Sequence, residues 1–381
     1  MDLSTIYCPE SGCPRYGKPG LGQHITLYGY DNGRHKLKCA VCDHYFSERI
    51  GTAYFGLREE ERIFTIATTA LAEGNSLRGT SRIVGADKDT VCRWLSRASD
   101  HCARVSGYLL RNLPLRECQL DELWSFIHKK EQNLTPVEQI LNEYGDVWVW
   151  LSFEPILKLM PAFVVGKRIQ ENANLLIAKT AAVSDGRKPL FTSDDLPHYA
   201  AALLAQYGVW ETVVRRPGQR GPLRKPRLLP PSDLLYAIVV KRRAKGRVVE
   251  VRPRVVFGSE AEIRTCLEAS PVSQHINTSY VERDNLTMRQ GSKRLTRKTL
   301  GFSKELPWLE KQLWLAVAYY HFVLPHNGLR RTLNPELPTQ GGRGSPKRWQ
   351  LCTPAMAAGV TDHMWTMEEL LSYRVPPQRP T

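Results

Sequence analysis

CQLDELWSFI, at Cys118–Ile127, is an apolar run of strand length that carries two adjacent acids, Asp121 and Glu122. Aromatic and aliphatic residues in a run of this length are typical of a β-strand. We therefore interpret this stretch as the first strand of a sheet, with acids placed along it.

The residues that follow predict two more strands, then a helix, a strand and a helix. Their predicted bounds are Asp146–Phe153, Lys158–Lys167, Gln170–Ala182, Pro189–Ser193 and Leu196–Tyr207. One acid lies in the first strand, and another, Asp194, lies at the end of the fourth. This order of elements predicts an α/β domain with a mixed sheet of the RNase H-like type.

Three carboxylates are expected to meet at this sheet. In an RNase H-like sheet the first and fourth strands are neighbours, so Asp121 and Asp194 would come together. A helix beginning near Thr278 would place Glu282 and Asn285 on one face, because residues three apart are neighbours on a helix. Such a cluster needs cations, and Mg²⁺ prefers oxygen ligands. Two ions about 3.5–4 Å apart would stabilise the attacking and leaving oxygens of a phosphoryl transfer.

Each of these acids also has an ordinary interpretation. Asp121 or its neighbour Glu122 could be an exposed strand acid. Asp194 could cap the helix that follows Pro197. Glu282 could pair with nearby arginines.

The composition favours a nucleic acid as the partner. The 381 residues carry a net charge of +15 with a pI near 9.5, which calls for a polyanion, and double-stranded DNA is the first candidate. No run of about 18 apolar residues is present, so no membrane span is predicted. The N-terminus does not resemble a secretory signal. A cytoplasmic, nucleoid-associated protein is expected, with its nine cysteines reduced.

Four cysteines near the N-terminus have the spacing of metal ligands. Two residues separate Cys39 from Cys42 and four separate Cys8 from Cys13, both within the range of structural zinc sites. The glycine-rich segment between the pairs could form the hairpin of a zinc ribbon. Chance placement of thiols in a reduced protein is the alternative. We expect a structural Zn²⁺.

The next segment predicts a helix-turn-helix. A first helix is expected at Leu57–Ala72, a second at Leu77–Val84 and, after a glycine turn, a third that begins at Lys88. Val91 and Leu95 would face the core. In this motif the early residues of the last helix reach base edges. The candidates for DNA contact are Lys88, Asp89, Thr90 and Arg93. A small helical bundle with no role in DNA binding is the alternative.

Two further stretches are strongly basic. Arg283–Lys304 has seven Lys or Arg and one acid, and Val213–Arg254 has thirteen against two. In the first, the candidate DNA contacts on a basic helix are Arg283, Arg289, Lys293, Arg294, Arg297 and Lys298. In the second, Arg215–Pro222 reads as a loop that would lie along the DNA backbone. A solvated loop is the alternative. Leu234–Lys241 and Arg247–Phe257 predict a hairpin, one strand of which would be the fifth of the sheet.

The order of these modules resembles that of bacterial insertion-sequence transposases that join a zinc ribbon and a helix-turn-helix to an RNase H-like DDE domain. The matching strings, within roughly residues 5–330, are Cys39–Cys42 (CAVC), Asp121–Trp124 (DELW), Ser193–Tyr199 (SDDLPHY), Glu282–Asn285 (ERDN) and Gly301–Lys304 (GFSK). By this resemblance Asp121, Asp194 and Glu282 hold a pair of Mg²⁺ or Mn²⁺ ions. Asn285 supports them from the same helical face.

The expected organisation has four segments. They are a zinc ribbon at 1–52, a helix-turn-helix domain at 53–112, a DDE catalytic domain at 113–332 with a basic insertion at about 212–258, and a linker and C-terminal tail at 333–381. A short helix is expected at Met367–Leu371, followed by a disordered tail from Val375.

The resemblance implies a DNA transposase that binds the ends of an insertion sequence and cleaves and joins strands with Mg²⁺. A water would attack the phosphodiester at the element end, and the freed 3′-hydroxyl would then attack target DNA. Because two ends must be handled, a homo-oligomer is expected. The alternatives are a nuclease or resolvase on the same fold, and a domesticated transposase that regulates transcription by binding DNA.

Overall fold

The structure, a computed structural model, describes residues 3–19, 23–31, 33–213, 221–337 and 345–377. The chain divides into two compact units. The first combines Met1–Leu109 with Lys311–Val323 and Met364–Thr381, and the second combines Leu110–Glu310 with Leu324–His363.

The N-terminal part contains three strands and then three helices. In chain order they are β1 (Ile25–Asp31), β2 (Arg34–Cys39), β3 (Tyr45–Ser47), α1 (Glu61–Ala72), α2 (Leu77–Val84) and α3 (Lys88–Leu109). The three strands form an antiparallel sheet in the order β1-β2-β3. Its small core contains Ile25, Leu37 and Phe46 together with buried cysteines.

The rest of the chain alternates strands and helices. In chain order the elements are β4 (Glu117–Ile127), α4 (Pro136–Leu141), β5 (Gly145–Glu154), β6 (Leu159–Gly166), α5 (Gln170–Val183), β7 (Leu190–Asp194), α6 (Pro197–Tyr207), β8 (Val209–Trp210), β9 (Leu228–Leu229), β10 (Tyr236–Ala244), β11 (Arg247–Phe257), α7 (Glu260–Glu268), α8 (Ser279–Gly291), α9 (Leu306–Phe322), β12 (Arg331–Leu337), β13 (Lys347–Gln350), α10 (Pro354–Ala357) and α11 (Met367–Ser372). None of the helices in the described part of the chain is long and apolar enough to cross a membrane.

The three N-terminal helices follow the predicted order, with one shift. Val91 and Leu95 of α3 are fully buried, as predicted. However, α1 begins at Glu61 instead of Leu57. The apolar spacing of the sequence predicts a buried face through Ile63, Ile66, Ala67, Ala70 and Leu71, yet Ile66 is 43% exposed. The buried face of α1 instead runs through Phe64, Ala67, Thr68, Leu71 and Ala72. The observed face shares Ala67 and Leu71 with the predicted one but is rotated about the helix axis, because Phe64 is buried in place of Ile63 and Ile66.

The C-terminal segment is more ordered than expected of a tail. Helix α11 buries Met367, Leu370 and Leu371, and the Tyr7 hydroxyl donates to the Val375 carbonyl at 3.1 Å. The disordered tail predicted from Val375 is therefore corrected for residues 375–377. Residues 378–381 lie outside the described part.

A six-stranded mixed sheet organises the second unit, in the order β11-β10-β7-β4-β5-β6. Strands β4, β5 and β6 are antiparallel neighbours, whereas β7 is parallel to β4 and β10 is parallel to β7. Strands β5 and β6 are buried along most of their length, which is typical of strands with both faces covered. This mixed α/β architecture is consistent with an RNase H-like fold, and β10 is the predicted fifth strand.

The β10–β11 hairpin extends beyond the sheet. Only Tyr236–Val239 of β10 pairs with β7. From Val240 to Ala244, β10 pairs with Arg247–Arg252 of β11 alone. We call these two segments the basic ribbon. The predicted basic loop falls mostly on residues 214–220, outside the described part.

Two predictions about helices need correction. The basic helix expected to carry the cations from Arg283 to Lys298 ends at Gly291, because Ser292 adopts an extended backbone (φ −135°, ψ 113°). Helices α4 and α7 were not predicted, although each begins with a capping box: Thr135 with Glu138, and Ser259 with Glu262.

Candidate active site

Two of the predicted acids lie on adjacent strands. In the parallel pairing of β4 with β7, Leu120 is opposite Ser193. Asp121 and Asp194 are the next residues along their strands, so the register brings these two acids side by side. The expectation that the first and fourth strands are neighbours is confirmed.

Helix α8 is held against β4 by the side chain of Gln119. Its Oε1 accepts the backbone N–H groups of Tyr280 and Val281, each at 3.0 Å, and its Nε2 donates to Asn277 Oδ1 at 3.2 Å. The first N–H groups of a helix have no partner within the helix, so a strand side chain satisfies two of them here. Gln119 is two residues from Asp121 and therefore projects from the same face of β4.

Glu282 and Asp194 face each other across a lysine and a threonine. The Lys241 Nζ lies 2.6 Å from Glu282 Oε1 and 3.1 Å from Asp194 Oδ1. The Thr278 hydroxyl lies 3.0 Å from Glu282 Oε1 and 3.3 Å from Asp194 Oδ1. Burial raises the pKa of Glu282, but the hydrogen bonds from Lys241 and Thr278 outweigh it, so that pKa is lowered.

Asp121 is the most buried of the three acids, and Asn285 holds it. The Asn285 side-chain amide donates to Asp121 Oδ2 at 2.7 Å, and the Glu122 backbone N–H donates to Asp121 Oδ1 at 2.8 Å. Burial and, to a lesser extent, the nearby charges of Glu122, Asp194 and Glu282 raise the pKa of Asp121 to about 7, although the Glu122 backbone hydrogen bond lowers it. Ionising Asp121 near neutral pH therefore calls for a positive charge close by.

The neighbouring acids point elsewhere. Glu122 forms an ion pair with Arg168 at 2.9 Å, and Asp195 pairs with Arg254 at 3.0 Å. In each pair of adjacent acids, the second member forms an ion pair with an arginine. The first member, Asp121 or Asp194, therefore faces α8 and Glu282.

These carboxylates suit a hard cation in their chemistry, but they do not form a closed cage. Oxygen ligands are those that Mg²⁺ prefers, and it commonly keeps water or substrate oxygens at its other positions. Within the described ranges, only the four cysteines form a group of three or more His, Cys, Asp or Glu ligand atoms lying within 4.8 Å of one another. The Lys241 ammonium contacts both Asp194 and Glu282. The gap between these two carboxylates therefore accommodates one positive ion.

The four cysteines do form a closed cluster. Cys8 Sγ lies 3.5 Å from Cys42 Sγ, and Cys13 Sγ lies 3.9 Å from Cys39 Sγ. Zn–S bonds of about 2.3 Å in a tetrahedron place sulfurs about 3.8 Å apart. The cluster could hold Zn²⁺, as the spacing of the cysteines predicted.

The residues predicted to contact DNA differ in exposure. Lys88, Asp89 and Arg93 are exposed at the start of α3, where Arg93 also donates to Thr90 Oγ1 at 2.8 Å. Around α8 the exposed cations are Arg283, Lys293, Arg297 and Lys298. Arg294 is partly buried and donates to the Ser303 hydroxyl at 3.2 Å.

Arg289 is half-buried instead of exposed. Its guanidinium donates to the carbonyl of Leu295 at 2.7 Å and to that of Trp124 at 3.2 Å. These bonds connect the turn after α8 to β4. They satisfy the Arg289 guanidinium within the protein, so its position is explained without a contact to a DNA phosphate.

Three residues of the site were not found from the sequence: Gln119, Lys241 and Thr278. The position of Gln119, two residues before Asp121 on a strand, was an available signal. Nothing in the sequence distinguishes Lys241 from the other cations of its hairpin.

Known proteins offer little similarity to this chain. No family model matches the chain, and no curated protein matches it. Among solved structures, the chain is similar to the crystal structure of the Mos1 strand transfer complex, with 15% sequence identity and a TM-score of 0.17. The likeness covers 39% of this chain and 56% of that chain.

Proposed function

We propose that the chain is a DNA transposase with an RNase H-like DDE catalytic domain, of the kind found in bacterial insertion sequences. One observation carries the proposal: two neighbouring parallel strands and one helix bring together Asp121, Asp194 and Glu282, the acids that the motifs single out. Each acid alone has an ordinary interpretation. Their convergence from sites 73 and 88 residues apart in the chain is unexplained by those interpretations.

The proposed chemistry is metal-dependent phosphoryl transfer. When bound, Mg²⁺ or Mn²⁺ supplies positive charge that stabilises the attacking and leaving oxygens. Asp121, Asp194 and Glu282 would hold the ions. Asn285 orients the carboxylate of Asp121 through its 2.7 Å hydrogen bond, and Gln119 fixes the start of the helix that carries Glu282. No side chain needs to form a covalent bond to DNA.

The cations of the chain would bind the DNA. The basic ribbon leaves the sheet one residue after Val239, the partner of Asp194 in β7, and it carries exposed Arg242, Arg247 and Arg252. Phosphate contacts from such side chains add affinity without sequence choice. The early residues of α3 would read element ends as the recognition helix of a helix-turn-helix, next in the chain to a zinc ribbon. Because the protein would act on two DNA ends, it would work as a homo-oligomer. As a DNA-binding protein, it would be associated with the nucleoid.

Strand transfer of the element's own ends tests the proposal. The substrate is a duplex with a precut 3′-hydroxyl, copied from the inverted repeats expected beside the gene, with plasmid DNA as target and Mg²⁺. The wild-type chain should join the strands. Asp121→Asn, Asp194→Asn and Glu282→Gln should bind the duplex but join about 10³-fold more slowly, since losing several kcal/mol of charge stabilisation has an effect of this size.

Asp195→Asn is the matched control, because Asp195 adjoins Asp194 but pairs with Arg254. It should join strands at the wild-type rate. Full activity in any of the three acid variants would overturn the assignment. Hydrolysis without joining would indicate a nuclease or resolvase, and tight binding without any Mg²⁺-dependent reaction would indicate a regulator.

A further inference from the structure

Lys241 lies where a cation of the site would lie. Its position follows from the sheet: Val239 is opposite Asp194 in the pairing of β10 with β7. Residues two apart on a strand project from the same face, so Lys241 reaches past the end of β7 on the side of Asp194. There its Nζ contacts Glu282 Oε1 at 2.6 Å and Asp194 Oδ1 at 3.1 Å.

One positive charge is thus shared between two carboxylates. The side chains of Asp194 and Glu282 are 48% and 49% exposed, whereas that of Lys241 is 23% exposed. Two carboxylates this close repel each other unless a cation lies between them. The Thr278 hydroxyl, which contacts the same two oxygens, cannot supply that charge.

A divalent ion would need the same oxygens. Lys241 Nζ uses Glu282 Oε1 and both oxygens of Asp194, the second at 3.3 Å. An ion bound to those atoms at the roughly 2.1 Å typical of Mg²⁺ would lie within the space of the ammonium group and would repel it. The two cations therefore exclude each other.

We propose that Lys241 is a positioning residue of this site, whose ammonium holds Asp194 and Glu282 together until a divalent cation displaces it. This inference rests on the proposed metal-dependent function. It predicts that Lys241 weakens metal binding, which is the opposite of what a purely structural brace would do.

Amine labelling of the wild-type chain tests the displacement directly. The full chain is treated with an amine-reactive reagent with and without saturating Mg²⁺, and each lysine is quantified by peptide mass spectrometry. Labelling of Lys241 should rise several-fold with Mg²⁺, because its amine leaves two ion pairs. Lys188, which pairs with Asp233 away from the site, should not change. Unchanged or reduced labelling of Lys241 in the Mg²⁺-saturated chain would overturn the inference.

Calorimetric titration with Mn²⁺ tests the competition. Lys241→Met should bind Mn²⁺ about tenfold more tightly than the wild type, because no ammonium competes for the carboxylates. Lys188→Met is the matched control and should bind like the wild type. Equal or weaker binding by a folded Lys241→Met chain would contradict the inference. If that variant does not fold, as judged by circular dichroism, the labelling result decides.

The two proposals fail in different ways. A wild-type chain that binds neither Mg²⁺ nor Mn²⁺ would overturn the proposed metal-dependent function and this inference with it. A wild-type chain that binds the ions through Asp121, Asp194 and Glu282 while Lys241 stays in place would overturn this inference alone.

Discussion

The cysteine cluster and the carboxylate cluster are both suited to cations, yet they are built differently. The four sulfurs already lie within 4.8 Å of one another, and three of the four cysteines are buried. The three carboxylates lie at the meeting point of two strands and a helix, and protein groups occupy their oxygens: Lys241 on two of the acids and Asn285 on the third.

The chemistry of the ligands accounts for the difference. Thiols are neutral until a metal binds, so they can be gathered without repulsion, and structural zinc sites close all four positions. Carboxylates are charged and repel, and a site for phosphoryl transfer must leave positions open for substrate oxygens. The cysteine cluster is therefore expected to maintain a fold, and the carboxylate cluster to act on a substrate.

The largest effect is expected from removing a sulfur. Cys39→Ala should abolish zinc binding and unfold the segment around the three-stranded sheet, since structural zinc contributes roughly 10–16 kcal/mol in small zinc modules. Metal content by mass spectrometry and proteolysis within residues 1–52 measure this. Cys266→Ala removes an exposed thiol outside the cluster and should change neither. Unaltered zinc content in Cys39→Ala would show that the cluster is not a zinc site.

A smaller effect is expected from Gln119, which supports the carboxylate cluster without belonging to it. Gln119→Leu leaves two N–H groups of α8 without an acceptor, at a cost of about 1–3 kcal/mol each. The free energy of unfolding should fall, and Mg²⁺ affinity should fall about tenfold because Glu282 is less well placed. Gln290→Leu changes an exposed residue of the same helix and serves as the control. Wild-type Mg²⁺ affinity in a folded Gln119→Leu chain would refute the positioning role.

The smallest effect concerns pH. Burial raises the pKa of Asp121 to about 7, above its ordinary value of 3.8. Between these values the folded chain binds a proton that the unfolded chain does not, so the contribution of Asp121 to the ion-free free energy of unfolding falls as pH rises. Mg²⁺ requires the ionised carboxylate, so its affinity should rise over the same range.

Denaturant unfolding at several pH values, with Asp121→Asn as the comparison, measures this contribution. The variant should lose less stability between pH 4 and 7 than the wild type. Glu154 is the internal reference, because burial also raises its pKa to about 7 and it is unchanged in the variant. Identical pH profiles for the two chains would contradict a buried, partly protonated Asp121.

The sheet could be predicted from the sequence because its strands are long apolar runs. Strands β4, β5 and β6 begin and end within one residue of their predicted bounds. The end of α8 at Gly291 was missed because the Lys and Arg that follow are good helix formers, although glycine is itself a stop signal. The motifs also predicted that Asp121 and Asp194 lie on neighbouring strands, and the pairing of β4 with β7 confirms that placement. Their role as metal ligands stays a prediction.

The neighbours of those acids could not be predicted in the same way. Residues 241–254 contain seven Lys or Arg, and only the pairing of Val239 with Asp194 determines that Lys241 is the one that reaches the acids. Arg289 looks like its basic neighbours in the sequence, but the turn after Gly291 directs it inward to two carbonyls. Register and chain reversal fix these roles, and both depend on contacts between distant segments.

Anomalous diffraction from crystals of the full chain soaked in Mn²⁺ would test the central claim most directly. Data collected at the zinc and manganese absorption edges locate each ion. The account predicts zinc among Cys8, Cys13, Cys39 and Cys42, and manganese bound by Asp194 and Glu282 with the Lys241 ammonium displaced. Manganese absent from the carboxylates, in crystals where Asp121, Asp194 and Glu282 are accessible to solvent, would contradict it.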